Sequence, residues 1–514
     1  MKKSRIKKLH FGSAAIAVTL LVLCATVILN VIAAMLASRY EWMYVNMNTK
    51  TVYSISDNCR QYVSDYIIPE IDKANEGQQA KQKIRIIFCD TQDSLKSDDR
   101  LVNIYNSILE LKSMFPEHIE TSHLNIWENP GDAREYGIES TGDIVCVFGS
   151  RFETVNFADF YLTDPTDNTK AIAYNGEKIL ASCLMRVTQK TPPNCYFTVN
   201  HGENTESLSL MRTIIESGYT VNFLDLSSQD IPADCELLVT YAPERDLSFS
   251  SGEMGEPEKL DKYMKNGGRY MVFISADTYA AGGHTNFETL LGNWGVTFMH
   301  KTANDGTEQS YLIKDPSNSL TVDGYTVIAK KAQSGIGASA LSKIDYPNAF
   351  ANSTCIEFAP EFKSDGKGNF IKEQDGITKT VSPLLVTHGT AQAWMGGITV
   401  ARADEKPFTL MSISSGKNAN GKTGHLIACA STEFASQNSL GSAVLGNSRV
   451  ITEVIRYMGR DNAPSNLVFK SFSGTKIESL TTSAANTYTV VLALVPTLTV
   501  AICGTVILVR RKYL

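Results

Sequence analysis

Two long apolar runs, one near each end, constrain this chain more than any other feature of its sequence. Phe11 to Ala37 and Tyr488 to Val509 contain no Asp, Glu, Lys or Arg. An α-helix rises 1.5 Å per residue, so each run is long enough to cross a bilayer core of about 30 Å. We therefore predict two transmembrane helices, at 11–37 and 488–509.

Basic residues flank both runs on the side away from the middle of the chain. Residues 1–10 contain five Lys or Arg and residues 510–514 contain three, with no acidic residue in either tail. Cytoplasmic flanks are rich in Lys and Arg, so both tails are predicted to be cytoplasmic and the large central region extracytoplasmic. A cleavable signal peptide is the alternative for the first run, but its apolar core would be only about 7–15 residues long.

The charge of the external region limits its partners. The chain has 48 Lys+Arg and 54 Asp+Glu, and removing the eight basic residues of the tails leaves 40 against 54, a net charge of −14. An acidic surface does not attract nucleic acid. We expect a plasma-membrane protein that contacts membrane lipid through its spans and binds an extracytoplasmic ligand that the sequence does not identify.

Alternating strand-like and helix-like segments predict an α/β fold for the external region. The break at Thr191-Pro192-Pro193 separates two such patterns. We predict doubly wound, mostly parallel sheets, similar in architecture to class I glutamine amidotransferases. The predicted parts are an α/β domain at 40–190, an α/β domain at 193–464 with a β-rich insertion at about 296–425, and a linker at 465–487 before the second span.

The cysteines outside the spans are scattered and form no Cys-x-x-Cys pair or Cys/His cluster with zinc spacing. Cys89, Cys146 and Cys195 lie inside apolar strand-like runs, where a thiol behaves as a small buried hydrophobe and not as a nucleophile at an elbow. A disulfide between Cys195 and Cys235 stays open. The sequence supports no metal site and no cofactor, and we predict that the chain is not an enzyme.

His201-Gly202-Glu203 is the sharpest local candidate for a functional site. It follows the predicted strand Cys195 to Val199, and loops at the carboxyl ends of parallel strands form ligand crevices. We assign His201, Glu203 and the preceding Asn200 as candidate ligand- or partner-binding residues. The alternatives are a structural turn, in which Gly202 allows the backbone to reverse and His201 bonds to backbone, and an acid–base pair.

A formal match to the Walker A pattern lies at Gly416-Lys-Asn-Ala-Asn-Gly421-Lys422-Thr423. A P-loop follows a strand and opens a helix, whereas Thr423 is followed by Gly424 and an apolar strand-like run. We therefore predict a polar hairpin and no nucleotide site here.

The order of elements resembles the Gld G-type auxiliary components of ABC transport systems, a family associated with bacterial gliding motility. The resemblance spans nearly the whole chain, although this family commonly has Gly where Asn200 stands. It is carried by Val199 to Glu203, Gly218-Tyr219-x-Val221 with Leu224-x-Leu226, Ile231-Pro232-x-Asp234-Cys235-x-Leu237-Leu238-Val239, Pro243, Tyr263-Met264-x-x-Gly267-Gly268, Ile427 to Tyr457, and the final span ending in Val509-Arg510-Arg511-Lys512.

This resemblance implies a membrane-anchored, non-catalytic subunit that works beside a separate ABC ATPase and an ABC-2-type permease. Its external domains would recognise or handle a substrate or partner. A stand-alone extracytoplasmic sensor or glycan-binding protein is the alternative, and an anchored hydrolase has the least support because the sequence contains no Gly-x-Ser-x-Gly elbow.

Overall fold

The computed structural model describes residues 52–472, apart from 165–166, 206, 250–253, 278–282, 303–306, 375, 405, 443, 466 and 468. Both predicted membrane spans and both predicted tails lie outside these residues. Within the described part of the chain, no helix is long and apolar enough to cross a membrane. The described residues belong to one packed unit, and mixed sheets and helices confirm the α/β class.

The first region of this unit contains a four-stranded sheet with the order β2-β1-β3-β4. Its strands are β1 (Ile84–Phe88), β2 (Ile119–His123), β3 (Ile144–Phe148) and β4 (Arg151–Val155). Only β1 and β2 run parallel, while β3 is antiparallel to β1 and to β4. The prediction of a mostly parallel, doubly wound sheet is therefore wrong for this region, because β3 and β4 form a hairpin instead of being joined by a helical crossover.

Helices cover this sheet on one face. The helix Leu101–Met114 buries Ile104, Ile108 and Leu111, which lie about one turn apart. These side chains share a core with Ile84, Ile86 and Phe88 of β1. A hairpin and a nearly fully buried helix follow the sheet. The helices and hairpin strands are α1 (Asp57–Tyr62), α2 (Ile68–Ala74), α3 (Gln92–Ser97), α4 (Leu101–Met114), α5 (Pro130–Glu135), β5 (Tyr161–Asp164), β6 (Asp167–Tyr174) and α6 (Gly176–Thr188).

The second region is built on one large sheet. Its strands, with those of the smaller sheets beside it, are β7 (Asn194–Thr198), β8 (Thr220–Leu224), β9 (Cys235–Tyr241), β10 (Arg269–Phe273), β11 (Val296–Phe298), β12 (His300–Thr302), β13 (Glu308–Ser310), β14 (Leu312–Lys314), β15 (Thr326–Lys331), β16 (Asn348–Ala351), β17 (Ile356–Phe358), β18 (Lys363–Ser364), β19 (Phe370–Gln374), β20 (Ile377–Val386), β21 (Gln392–Met395), β22 (Ile398–Arg402), β23 (Thr409–Lys417) and β24 (Thr423–Cys429). The helices are α7 (Leu208–Glu216), α8 (Glu256–Lys265), α9 (Thr285–Asn293), α10 (Gly335–Ala340), α11 (Gln437–Leu440) and α12 (Asn447–Tyr457).

Five parallel strands form the centre of this sheet in the order β8-β7-β9-β10-β24. Along the chain this is the order 2-1-3-4-5 of a doubly wound sheet, as predicted for this region. The predicted β-rich insertion is also present. Its strand β23 pairs antiparallel with β24, and β20, β15 and β16 continue the same sheet beyond β23, each antiparallel to the strand before it.

Alternating residues of the parallel strands fill two cores, one on each face of the sheet. Leu237 and Val239 of β9 pack in one core with α7 and α12, while Leu238 packs in the other with α8 and α9. Side chains on a strand alternate with a period of two, so a strand buried on both faces is a continuous apolar run. The eight cysteines of the described residues are free, buried thiols. Four of them, including Cys195 and Cys235, lie in these two cores, and the other four lie in the apolar clusters of the first region.

The described chain begins and ends at one place, where a group that we call the end clasp joins the two segments. Strand β25 (Lys470–Ser471) pairs with β6. The Lys470 Nζ lies 2.7 Å from Glu177 Oε1 and also donates to the carbonyl of Ser54. The backbone N–H of Ser56 donates to Glu177, and its Oγ donates to Glu177 Oε2 at 2.8 Å. The end clasp is thus Ser54, Ser56, Glu177 and Lys470.

Candidate functional site

The predicted site lies where the order of the parallel strands reverses. β7 has β8 on one side and β9 on the other, so the loops that leave the carboxyl ends of β7 and β9 turn in opposite directions. Ligands of open α/β sheets bind at such switch points. The loop after β7 contains Asn200, His201 and Glu203, and the loop after β9 contains Glu244 and Arg245.

Backbone hydrogen bonds join these two loops. The carbonyl of His201 accepts the N–H groups of Glu244 at 2.8 Å and Arg245 at 2.9 Å. Gly202 has a φ of +79°, and a Cβ there would lie 2.8 Å from the Cβ of Glu244. Glycine is therefore required at position 202 both by the left-handed backbone and by the closeness of the second loop. The turn in the structural alternative is confirmed at this residue.

The His201 side chain lies between two carboxylates and is almost fully buried. Its Nε2 is 2.9 Å from Glu256 Oε2, and its Nδ1 is 3.4 Å from Glu203 Oε1. The His201 N–H donates to the other oxygen of Glu203 at 2.5 Å. Glu256 Oε2 also accepts the backbone N–H of Ser248 at 2.6 Å and its Oγ at 3.0 Å. We call His201, Glu203 and Glu256 the histidine cluster.

The electrostatics of the histidine cluster favour a charged imidazolium. Hydrogen bonds to Glu203 and then to Glu256 raise the pKa of His201 to about 10. Burial is the largest single influence and by itself would raise the pKa of each carboxyl group. The hydrogen bonds with His201 and with backbone N–H groups, together with the charge of His201, outweigh it and lower the pKa of both Glu203 and Glu256. Near neutral pH the cluster is therefore one cation between two anions, all of them ionised.

This arrangement holds the loop after β7 and the start of α8 together. A protonated imidazole cannot accept a proton, so His201 is not available as a general base near neutral pH. Glu256 opens α8, where the N-terminal end of a helix favours negative charge. The cluster thereby ties the loop after β7 to the start of α8.

Asn200 is the predicted site residue that reaches the surface. It has a φ of +83° and is exposed. Its side-chain amide donates to Ser227 Oγ at 3.2 Å and to Asp225 Oδ2 at 3.4 Å, at the carboxyl end of β8. The Arg245 guanidinium donates to the Asn200 carbonyl at 2.7 Å. The structure thus brings all three predicted residues together at the carboxyl end of β7, with Asn200 exposed and the side chains of the other two buried.

Sequence reasoning missed Glu256, the second carboxylate of the cluster. It lies 55 residues from His201 along the chain, and no local spacing connects them. A weak signal was present, because Gly255-Glu256-Pro257 reads as a helix start with an acidic first turn. That signal predicts a helix cap and says nothing about a histidine partner.

The Walker-like segment is a β-hairpin. β23 and β24 pair antiparallel from Met411↔Cys429 to Lys417↔Thr423, and the turn between them is held by Asn418, whose Oδ1 accepts the N–H groups of Asn420 and Lys422 at 3.0 Å each. No helix follows Thr423, so the predicted hairpin is confirmed. Among the described residues, no group of three or more His, Cys, Asp or Glu side chains could hold a metal ion.

Comparisons with known proteins do not place the chain in a family. No family model and no curated protein matches it. Among solved structures, the mmIFT52 N-terminal domain is similar at 14% identity and a TM-score of 0.36, over 52% of this chain and 96% of that one. The PurLQS structure from Thermotoga maritima is similar at 11% identity and a TM-score of 0.26, over 52% of this chain and 100% of that one.

A third similar structure is the cytoplasmic protein STM3548 from Salmonella typhimurium, at 9% identity and a TM-score of 0.30, over 52% of this chain and 98% of that one. These likenesses are too weak to carry an argument about function.

Proposed function

We propose that this chain is a membrane-anchored, non-catalytic auxiliary subunit of an ABC-2-type transporter complex. The two apolar runs would anchor it in the plasma membrane, with both tails in the cytoplasm. The described unit would lie outside and recognise or handle an extracytoplasmic substrate or partner. An ABC ATPase and a permease would be its partners, as the resemblance to the Gld G-type family implies.

The end clasp is the observation that carries the two-ended anchoring in this proposal, while the ABC partners rest on the resemblance. A domain between two membrane helices must begin and end on the side that faces the membrane. Here the segments that lead to the two apolar runs meet through Glu177, Lys470 and the serines of the first segment. The rings of Tyr53 and Phe472 add a contact at a centroid distance of 6.0 Å. A domain anchored at one end only would not require such a junction.

The histidine cluster supports a role in binding or coupling over a role in catalysis. Its imidazole is already paired on both sides, and a nucleophile next to a free base is not found beside it among the described residues. Asn200 and Arg245 are exposed above the cluster, where they can contact a ligand or a partner.

A pull-down from the native host tests the proposal. The full-length tagged chain is extracted in mild detergent, and copurifying proteins are identified by mass spectrometry. We expect an ABC ATPase and a multi-span permease in stoichiometric yield. A tagged two-span membrane protein of unrelated sequence is the control for nonspecific recovery.

A pull-down that recovers the chain without transporter subunits would contradict the proposal. Recovery of the intact chain without an ATPase or a permease, across several detergents and with chemical crosslinking, would reject the auxiliary-subunit proposal. It would favour the stand-alone sensor or glycan-binding protein.

A further inference from the structure

A basic cavity of about 510 Å³ opens at the amino-terminal ends of β9 and β10. It lies at the opposite edge of the parallel sheet from the histidine cluster, and the proposed function does not use it. One wall is the segment before β9, residues 230–233. The others are the second half of α8 with the Gly267-Gly268 turn, and the turn between β23 and β24. We propose that this cavity binds a small molecule that carries phosphate or carboxylate groups.

The charge of the cavity is opposite to that of the external region. Four basic side chains and two acidic ones line it, namely Lys259, Lys262, Arg269, Lys422, Asp230 and Glu236. The external region as a whole is acidic, so this local excess of positive charge is not a consequence of composition. A concave, positively charged wall concentrates anions.

Two of the cations are free to meet a ligand. Lys259 lies 3.3 Å from Asp230, and Arg269 lies 3.0 Å from Glu236. Within the described part of the chain, by contrast, Lys262 and Lys422 have no carboxylate at ion-pair distance, and both are exposed. An ammonium group is a compact point charge with three donors and can bind either phosphate or carboxylate oxygens.

The walls are held in place before any ligand arrives. The Lys259 ammonium donates to the carbonyls of Leu226 at 3.0 Å and Gln229 at 2.9 Å, which fixes the segment before β9 against α8. The Tyr263 hydroxyl donates to the Arg269 carbonyl at 3.2 Å. Such fixed walls lower the conformational cost of binding.

The turn that carries Lys422 is also fixed against α8. The Asn418 side chain donates to the carbonyl of Lys265 at 2.9 Å. The hairpin approaches so closely that a Cβ at Gly424 would lie 1.8 Å from the carbonyl oxygen of Met264. Lys422 is therefore presented to the cavity by a supported turn.

Apolar atoms complete the lining and set the kind of ligand. Ile231, Pro232 and Ala233 form one wall, and the Tyr263 ring forms part of another. Small-molecule sites are commonly clefts of about 300–1,000 Å³ that combine apolar walls with a few polar anchors. The cavity thus has room for a compact anion that meets the lysines on one side and rests on the apolar walls with the other.

Calorimetric titration of the full-length chain in a nonionic detergent tests this proposal, with inorganic pyrophosphate and citrate as separate probes. We expect saturable binding of at least one probe at one site per chain. Binding of pyrophosphate alone identifies a phosphate ligand, and binding of citrate alone identifies a carboxylate ligand. Saturation by neither probe up to millimolar concentration overturns the proposal.

Matched variants distinguish binding inside the cavity from nonspecific attraction of anions to surface lysines. K262Q/K422Q is expected to weaken binding at least about tenfold, while K81Q/K367Q removes the same charge from exposed positions away from the cavity and leaves binding unchanged. A233W places a large side chain in the exposed lining without changing the charge. If the anion binds inside the cavity, this side chain occupies its space and abolishes binding.

Equal affinity in wild type and A233W, or equal losses in the two lysine pairs, would show an adventitious ion only and reject the site. Thermal unfolding of each variant verifies that it is folded. These results do not depend on partner recovery, so this proposal and the transporter proposal succeed or fail separately.

Discussion

His201 is held as a cation by two carboxylates, those of Glu203 and Glu256. Removing one member of a buried ionic group leaves the others uncompensated, which costs about 3 kcal/mol. We expect His201→Gln to lower the free energy of unfolding of the chain by this amount near pH 6. Chemical denaturation of the detergent-solubilised protein, followed by tryptophan fluorescence, measures the change.

The pH dependence of this loss follows from the shifted pKa values. The pKa of His201 rises from 6.5 to about 10 on folding, so its contribution to stability is complete below pH 6.5 and disappears as the pH rises to about 10. The pKa values of Glu203 and Glu256 fall below 4.5, so their contribution is lost under acid conditions. The difference between wild type and His201→Gln should therefore be greatest between about pH 4.5 and 6.5 and shrink towards pH 10.

His425 offers a matched control for this experiment. It is also buried, but burial lowers its pKa to about 4, so it is neutral in the folded protein. The stability difference between wild type and His425→Gln should stay constant from pH 6.5 to 10. An equally constant difference for His201→Gln would contradict the charged cluster.

At the level of elements, the β23–β24 hairpin depends on the Asn418 side chain. This side chain accepts two backbone N–H groups of its own turn and donates to the end of α8. Each such hydrogen bond contributes about 1 kcal/mol. We expect Asn418→Ala to lower the free energy of unfolding by about 3 kcal/mol and to weaken anion binding at Lys422, measured by denaturation and by calorimetry.

Asn420→Ala is the control in the same turn. Asn420 is exposed, and only its backbone N–H takes part in the turn, so this substitution should change the free energy of unfolding by less than about 0.5 kcal/mol. Equal effects of the two substitutions would reject the assigned role of Asn418.

Elements with a local signal were predictable. The strand Cys195 to Val199 and the helix Pro257 to Lys265 were expected from apolar runs and turn residues, and each agrees with the structure to within one residue. The direction of β3 was not predictable, since a strand of five apolar residues reads the same in either direction. Only its long-range pairing with β1 decides it.

The candidate site also has features that the sequence predicts locally and features that only long-range contacts decide. The position of His201 after a strand predicted its place at a sheet edge, and Gly202 predicted the turn. Its pairing with Glu256 joins segments far apart in sequence, so a single sequence contains no spacing that reveals it. The basic cavity escaped notice for the same reason, because Lys262 and Lys422 come together only in the folded chain.

On the scale of the whole molecule, the end clasp determines how firmly the two ends of the unit are held. Glu177→Gln keeps the size of the side chain and removes the charge that faces Lys470. We expect the amides of 53–56 and 470–472 to exchange with deuterium about tenfold faster, which corresponds to a loss of about 1.4 kcal/mol. Hydrogen–deuterium exchange with mass spectrometry measures this.

Glu153→Gln is the matched control, because it removes the same charge from an ion pair with Arg186 in the same region, at 3.1 Å. Exchange at the two ends should be unchanged in this variant. If Glu177→Gln left the ends as protected as in the wild type, the end clasp would not hold them.

The end clasp distinguishes two kinds of force applied to the ends of the unit. A pull that draws both ends in the same direction moves the unit as a rigid body and leaves the contact between Glu177 and Lys470 unstressed. A pull that separates the ends acts on that contact first, because it joins the two segments directly. With both ends anchored as proposed, the contact between Glu177 and Lys470 would be loaded by differences in the motion of the two ends and not by motion that they share.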